Sequence, residues 1–257
     1  AVLDVFLQGR EPHNFLIDGF PYDYLGDAPG DDGHTRPVIA FECQMGSLRS
    51  GAALPRVADA IRHLRPYAVI AVGIAFGDKR KQKLADVLIA DQVQSYESAR
   101  LNPDGKHRWR SERPAAEPRW LERSTRLPLQ GITRRKGLLL CGELLVDNPD
   151  FRKLLADEFP QAIGGDMESF GLAVACNQAN VHWAVIKAVC DWGDGSINSD
   201  GDARKTTRQR HAALKAARVA YSAVFLEVPP VAPSETPPEP VRLSMPPATA
   251  VSQFLVT

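Results

Sequence analysis

Two carboxyl groups stand where the sequence lets a side chain do chemistry. Asp191 closes the apolar run Ala184-Val185-Ile186-Lys187-Ala188-Val189-Cys190. A carboxyl at the mouth of a buried strand is partly desolvated, which raises its pKa and suits it to hand a proton to a bound molecule. The same position fits a capping role, because Trp192-Gly193-Asp194-Gly195 has the composition of a turn. Glu168 follows Gly164, Gly165, Asp166 and Met167 and directly precedes the apolar residues Phe170, Leu172, Ala173 and Val174. A carboxylate beside such a face is costly to bury unless it is paired or bound to a ligand. One glutamate can accept hydrogen bonds from both hydroxyls of a ribose, one on each oxygen. Met167 would supply a soft apolar wall against the sugar. Asp166 reads as a helix cap.

An acid and a diol clamp together suit cleavage of a bond between a purine base and its ribose. Such a reaction passes through a cationic, oxocarbenium-like sugar. The purine leaves poorly as an anion, and a proton from Asp191 to ring N7 makes it neutral. An ionised Glu168 on the 2′ and 3′ hydroxyls would orient the ribose and stabilise the nearby positive charge. Water as the nucleophile gives hydrolysis, and phosphate gives phosphorolysis.

Three further segments have two readings each. Gly73-Ile74-Ala75-Phe76-Gly77 allows the backbone to approach a flat ligand, or makes a tight turn. Met45-Gly46-Ser47, just ahead of a helix, offers backbone N–H groups and a hydroxyl as a cradle for a small anion, or is an ordinary serine cap. Lys79, Arg80, Lys81 and Lys83 could meet a phosphate chain, or form a solvated loop.

The elements that must position these groups alternate along the chain. Val38 to Phe41, Tyr67 to Val72, Val87 to Val93, Leu138 to Cys141 and Trp183 to Cys190 read as strands. Ala52 to Leu64, Asn148 to Phe159, Asp166 to Asn180 and Ala203 to Val228 read as helices, and Arg65-Pro66 stops the first. Residues 98 to 135, rich in Arg, Pro and Trp, read mostly as loop. The alternation predicts an α/β single domain with a mixed, mostly parallel central sheet flanked by helices. Ligands of such sheets bind beyond the carboxyl ends of the strands, where Gly73, Gly142 and Asp191 fall.

Composition bounds the rest. With 257 residues, 44% hydrophobic, one sizeable core is expected over 1–227. From residue 228 to 257, Pro229, Pro230, Pro233, Pro237, Pro238, Pro240, Pro246 and Pro247 predict an extended tail or linker. A balance of 31 basic against 31 acidic residues gives no attraction for nucleic acid or an anionic membrane. The spacing of Cys43, Cys141, Cys176 and Cys190 suits neither a metal site nor a redox pair, and no cofactor is implied. No signal peptide and no span of about 20 apolar residues is visible, so a cytoplasmic protein with reduced thiols is expected.

At this point four blocks resemble one family. FPQAIGGDMESFGLAVAC, WAVIKAVCDWGDG, MGSLRSGAA and AVIAVGIAFG match, in order and spacing, the purine nucleoside phosphorylase/uridine phosphorylase superfamily, within it the methylthioadenosine/S-adenosylhomocysteine nucleosidase branch. The resemblance runs from about Pro37 to about Glu227. It implies a purine nucleosidase without metal or organic cofactor, acting as a homo-oligomer. It implies ribose contacts from Met167 and Glu168 and N7 protonation by Asp191. Leu145 and Val146 would line the base, Ile74, Ala75 and Phe76 would run beneath it, and Met45, Gly46 and Ser47 would lie near the nucleophile. An Asp at 191 is similar to members that prefer 6-aminopurines. The chain departs from the pattern at its start: the first strand and its water-activating glutamate have no counterpart here. The CDWGDG turn and the insertion at 98 to 135 look like members fused to bacterial signalling or antiphage-defence modules, some acting on adenine nucleotides. A phosphate-dependent phosphorylase and a non-catalytic nucleotide-sensing module are the alternatives.

Overall fold

The computed structural model describes residues 1–30, 33–105, 107–196 and 201–226, and the backbone of 251–256. In chain order the elements are α1 (Val2–Leu7), β1 (His13–Ile17), β2 (Phe20–Pro29), β3 (Thr35–Glu42), α2 (Ala53–Leu64), β4 (Pro66–Phe76) and β5 (Val87–Ser95). There follow β6 (Ala99–Leu101), β7 (His107–Trp109), α3 (Pro118–Arg126), β8 (Arg134–Cys141), α4 (Pro149–Glu158) and β9 (Ala162–Asp166). The last four are α5 (Ser169–Gln178), β10 (His182–Asp191), α6 (Asp202–Phe225) and β11 (Val251–Val256).

The expected mixed α/β sheet is present. Its strands run in the order β1-β2-β3-β11-β4-β10-β5-β8-β9. The pairs β3–β11, β11–β4, β4–β10, β5–β8 and β8–β9 are parallel, while β1–β2, β2–β3 and β10–β5 are antiparallel. Helices cover both faces. One core joins Phe6 of α1, Ile70 of β4, Ile186 of β10 and Ala216 and Val219 of α6. The other joins Val57 of α2, Val69 and Ala71 of β4, Leu172 and Cys176 of α5 and Val185 of β10. Both faces of β4 and β10 are thus buried, which is why each reads as an apolar run, broken in β10 only by Lys187.

Local sequence sets the boundaries. Asn148 caps α4 by accepting from the Phe151 N–H at 2.9 Å, with Pro149 at the first helical position. Arg65 ends α2 in the left-handed region, and Pro66 then opens β4. The glycines of β9 are required by packing. A Cβ on Gly164 would collide with the Phe76 carbonyl oxygen, and one on Gly165 with the Phe76 ring, so β9 can close against the end of β4 where Phe76 pairs with Gly165.

The structure departs from the sequence expectations in four places. Residues 98–135 are not mostly loop: they hold the β6–β7 hairpin and α3, whose Trp120 and Arg123 are buried and whose Arg123 donates to main-chain carbonyls at the end of α6. β1 and β2, in a segment for which no element was expected, extend the sheet as a hairpin: Phe15, Ile17, Phe20, Tyr22 and Tyr24 are strand formers, and Asp18-Gly19, both at positive φ, makes the two-residue turn. Pairing with β3 and packing of Tyr22 beneath the Arg56 guanidinium hold the hairpin. Asp166 ends β9 rather than opening a helix, and α5 begins at Ser169. Finally, the tail expected over 228–257 lies outside the described residues as far as 250, but 251–256 is a strand, not an extended tail. The run Val-Ser-Gln-Phe-Leu-Val carries no proline, so each residue has an N–H for the ladder. β11 fills the place between β3 and β4, with Val256 opposite Glu42 on one side and Val72 on the other.

Candidate active site

The carboxyl ends of β4 and β10 and the loops after β3, β8 and β9 converge on a cavity of about 380 Å³. β4 contributes Ile74, Ala75 and Phe76, the loop after β8 Leu144, Leu145 and Val146, and the end of β9 Gly165 and Asp166 followed by Met167 and Glu168. β10 brings Cys190 and Asp191, the segment after β3 Cys43 and Met45, and α6 closes the wall with Lys205 and Gln209. Volume and position match a small-molecule site of an open α/β sheet. A larger cavity of about 500 Å³ lies behind the 45–48 loop, but neither Asp191 nor Glu168 reaches it.

Asp191 is held at two points. Its Oδ1 accepts from the Gly193 N–H at 2.9 Å, and its Oδ2 from the Cys190 thiol at 2.9 Å. The group caps its turn, as one reading has it, and also lines the cavity. Burial raises its pKa above the ordinary aspartate value, while the contacts from Cys190 and Gly193 and the charge of Arg208 pull the other way. A further bond, from the Gly77 N–H to the Asp191 carbonyl at 2.9 Å, ties the end of β4 to the acid.

Glu168 is paired. Its Oε2 accepts from Lys187 Nζ at 3.1 Å and its Oε1 from the Gly46 N–H at 3.3 Å. Lys187 is 0% exposed and also lies 3.2 Å from Asp166 Oδ2. Burial works against the charge of Lys187, but Glu168 and Asp166 overcome it and hold its pKa above the usual lysine value. Asp166 itself is raised, by burial first, with Lys187 pulling the other way. It also caps α5 through the Ser169 N–H and hydroxyl. A carboxylate has about four acceptor positions, so the two protein contacts leave Glu168 able to accept from hydroxyls in the cavity.

Of the eleven residues singled out from sequence, nine line this cavity: Asp191, Glu168, Met167, Met45, Ile74, Ala75, Phe76, Leu145 and Val146. Gly46 and Ser47 lie behind it. Gly46 reaches the site through its bond to Glu168, while the Ser47 hydroxyl donates to the Met167 carbonyl at 2.8 Å and accepts from the Gly171 N–H at 3.2 Å. None of Lys79, Arg80, Lys81 and Lys83 lines the cavity. Lys79 pairs with Asp194 at 2.6 Å, and Arg80 with Asp78 at 2.9 Å, holding the Asp78 carboxyl down at about 2.

Lys187, Cys190, Lys205 and Gln209 were not singled out. Lys187 had a legible signal, being a charge inside a run otherwise apolar on both faces, which demands a buried counter-charge. Lys205 and Gln209 stand four apart, on one face of α6. Among the described residues no cluster of three or more His, Cys, Asp or Glu is placed to hold a metal ion, and no helix is long and apolar enough to cross a membrane.

Known proteins share this architecture. A 5′-methylthioadenosine/S-adenosylhomocysteine nucleosidase of Haemophilus influenzae (strain PittGG) is 27% identical over 141 residues, 52% of this chain and 60% of the relative. One of Staphylococcus aureus (strain JH9) is 26% identical over 177 residues, 65% of this chain and 74% of that protein. The match thus spans 60% of the Haemophilus relative's length, short of two thirds. Among solved structures, the S. pneumoniae 5′-methylthioadenosine/S-adenosylhomocysteine nucleosidase with a transition-state inhibitor superposes with a TM-score of 0.70 at 19% identity, covering 86% of this chain and 93% of that one. Futalosine hydrolase of Helicobacter pylori gives 0.67 at 17%, covering 86% and 92%. The family description "Phosphorylase superfamily" matches residues 29–224, the stretch that carries every side chain of the cavity, and the chain belongs to that superfamily.

Proposed function

We propose that the chain is a purine nucleosidase that hydrolyses the N-glycosidic bond of an adenine-type nucleoside or nucleotide. The observation that carries this reading is one cavity bounded by two carboxyl groups of opposite character. Asp191, with its raised pKa, is the general acid that protonates the base, and Glu168 binds the ribose hydroxyls. Ile74, Ala75 and Phe76 lie under the base, Leu145 and Val146 over it, and Met167 and Met45 against the sugar. The relatives named above are nucleosidases, and one solved neighbour holds a transition-state inhibitor.

The apolar rim of the cavity supports a homo-oligomer. Met45, Leu144 and Leu145 are 52%, 57% and 64% exposed at its mouth, and a second copy would cover them. Free cysteines, three of them buried, agree with a reducing cytoplasm. Domain limits of 1–227 for the catalytic unit remain part of this reading, with β11 added to its sheet from outside them.

The test is a base-release screen across methylthioadenosine, adenosine, AMP and ATP, with and without inorganic phosphate. Free adenine from any of them without phosphate is the expected result. Release only with phosphate would make the chain a phosphorylase. No release from any of the four by a protein that still binds them would make it a nucleotide-sensing module, and release from ATP alone would point to the defence-associated members.

A further inference from the structure

The loop Met45-Gly46-Ser47-Leu48 reads as an anion cradle, and the structure fills it from within the chain. Ser47 N–H donates to Glu143 Oε1 at 2.6 Å, and Leu48 N–H donates to the same oxygen at 3.1 Å. Gly46 N–H, next to them, points to Glu168 at 3.3 Å. Three successive amides therefore converge on two carboxylates, the geometry in which a backbone nest holds an anion. Gly46 has φ +103°, and a Cβ there would meet Glu143 Oε2 at 2.7 Å, so glutamate and loop are fitted to each other. Glu143 is itself anchored, its N–H donating to Glu97 Oε1 at 2.6 Å. It is half-buried and lines the 500 Å³ cavity together with Glu97, Glu112 and Arg110, so the approach to the nest from solvent carries more acid than base.

We infer that Glu143 is a specificity-determining and positioning residue that denies the nest to inorganic phosphate. An oxyanion arriving there would have to displace a carboxylate already holding two amides, and would meet like charge on the way. By clamping Ser47 and Leu48, Glu143 also fixes Gly46 against Glu168, and so steadies the ribose clamp. This second part rests on the nucleosidase reading; the first does not.

The probe is inorganic phosphate, titrated calorimetrically into the full chain and into its variants. Wild type is expected to show no saturable binding. Glu143→Ala, which empties the nest, is expected to bind phosphate saturably, at least about tenfold below the weakest dissociation constant the titration resolves. In base release the same variant should raise KM by about tenfold while kcat changes less, because Asp191 at the far end is untouched. Glu143→Gln keeps an acceptor oxygen but drops the charge, so its KM rise should be smaller and its phosphate binding intermediate. If Glu143→Ala does not fold, as judged by circular dichroism, Glu143→Gln decides by the same titration. Phosphate binding unchanged from wild type in every folded variant overturns the inference. If wild type releases no base, the nucleosidase reading fails, yet the calorimetric comparison still decides whether Glu143 guards the nest.

Discussion

Asp191 and Glu168 line the same cavity, and their surroundings are opposite. Asp191 receives hydrogen bonds from a thiol and one amide, and burial outweighs them, so its proton is held more tightly than in a free aspartate. Glu168 sits against a lysine with no solvent exposure whose ammonium is kept charged by two carboxylates. One carboxyl of the cavity is thus set against burial with few compensating contacts, the other against a buried ammonium. The difference comes from neighbours rather than residue type, and the acid and clamp roles proposed above rest on it.

The contrast can be broken at either end. The largest effect is expected from Asp191→Asn, which keeps the shape but removes the transferable proton. Its kcat should fall by about 10²–10⁴-fold while the dissociation constant of a non-hydrolysable nucleoside analogue barely moves. Single-turnover kinetics beside equilibrium binding would check this, and an unchanged rate removes the acid assignment. Glu168→Ala should lower kcat/KM by about 10²–10³-fold, with KM and kcat both affected, since the ribose is held in the ground state and held more strongly as positive charge develops in the transition state. Lys187→Met strips Glu168 and Asp166 of their counter-charge. It should destabilise the fold by about 3–5 kcal/mol in urea unfolding, and a wild-type midpoint would show that the buried triad is dispensable.

The smallest effect concerns pH. Because the folded pKa of Asp191 is raised, the folded state binds this proton more tightly than the unfolded chain does. That contribution is fully present below the ordinary aspartate range and is lost as pH rises through the raised pKa. Asp191→Asn should therefore melt slightly above wild type at neutral pH, with the gain vanishing in acid, as thermal scans at several pH values would show. Activity carried by protonated Asp191 should decline over the same rise in pH.

How much of this was legible in the sequence depended on the distance over which each residue finds its partners. The apolar runs of β4, β8 and β10, and the small or charged residues at their ends, announced both the sheet and the cavity wall. They did so because strand burial is written in neighbouring residues. The two readings of Asp191 could not be separated locally, because the same carboxyl caps its turn and lines the cavity. For Glu168 the partner that lets it be buried is Lys187, 19 positions along the chain. Glu143, which fills the cradle of the 45–48 loop, lies 96 residues from Ser47, and no local pattern links them. β1 and β2 were missed although Asp18-Gly19 between aromatic-rich flanks carries a local hairpin signal. β11 was missed because it follows a proline-rich stretch that masked a short strand.

That last strand bears on how the molecule is assembled. β3 and β4 are separated in sequence by only one helix, yet they do not pair. Each waits for β11, which joins them across about 200 residues of chain. Contacts between such distant segments form slowly, because a long loop must close before any bond rewards it. Until that closure the centre of the sheet presents two open edges, each able to recruit a strand from another molecule. The interval before β11 docks is thus the time at which a growing population of this chain is most exposed to aggregation.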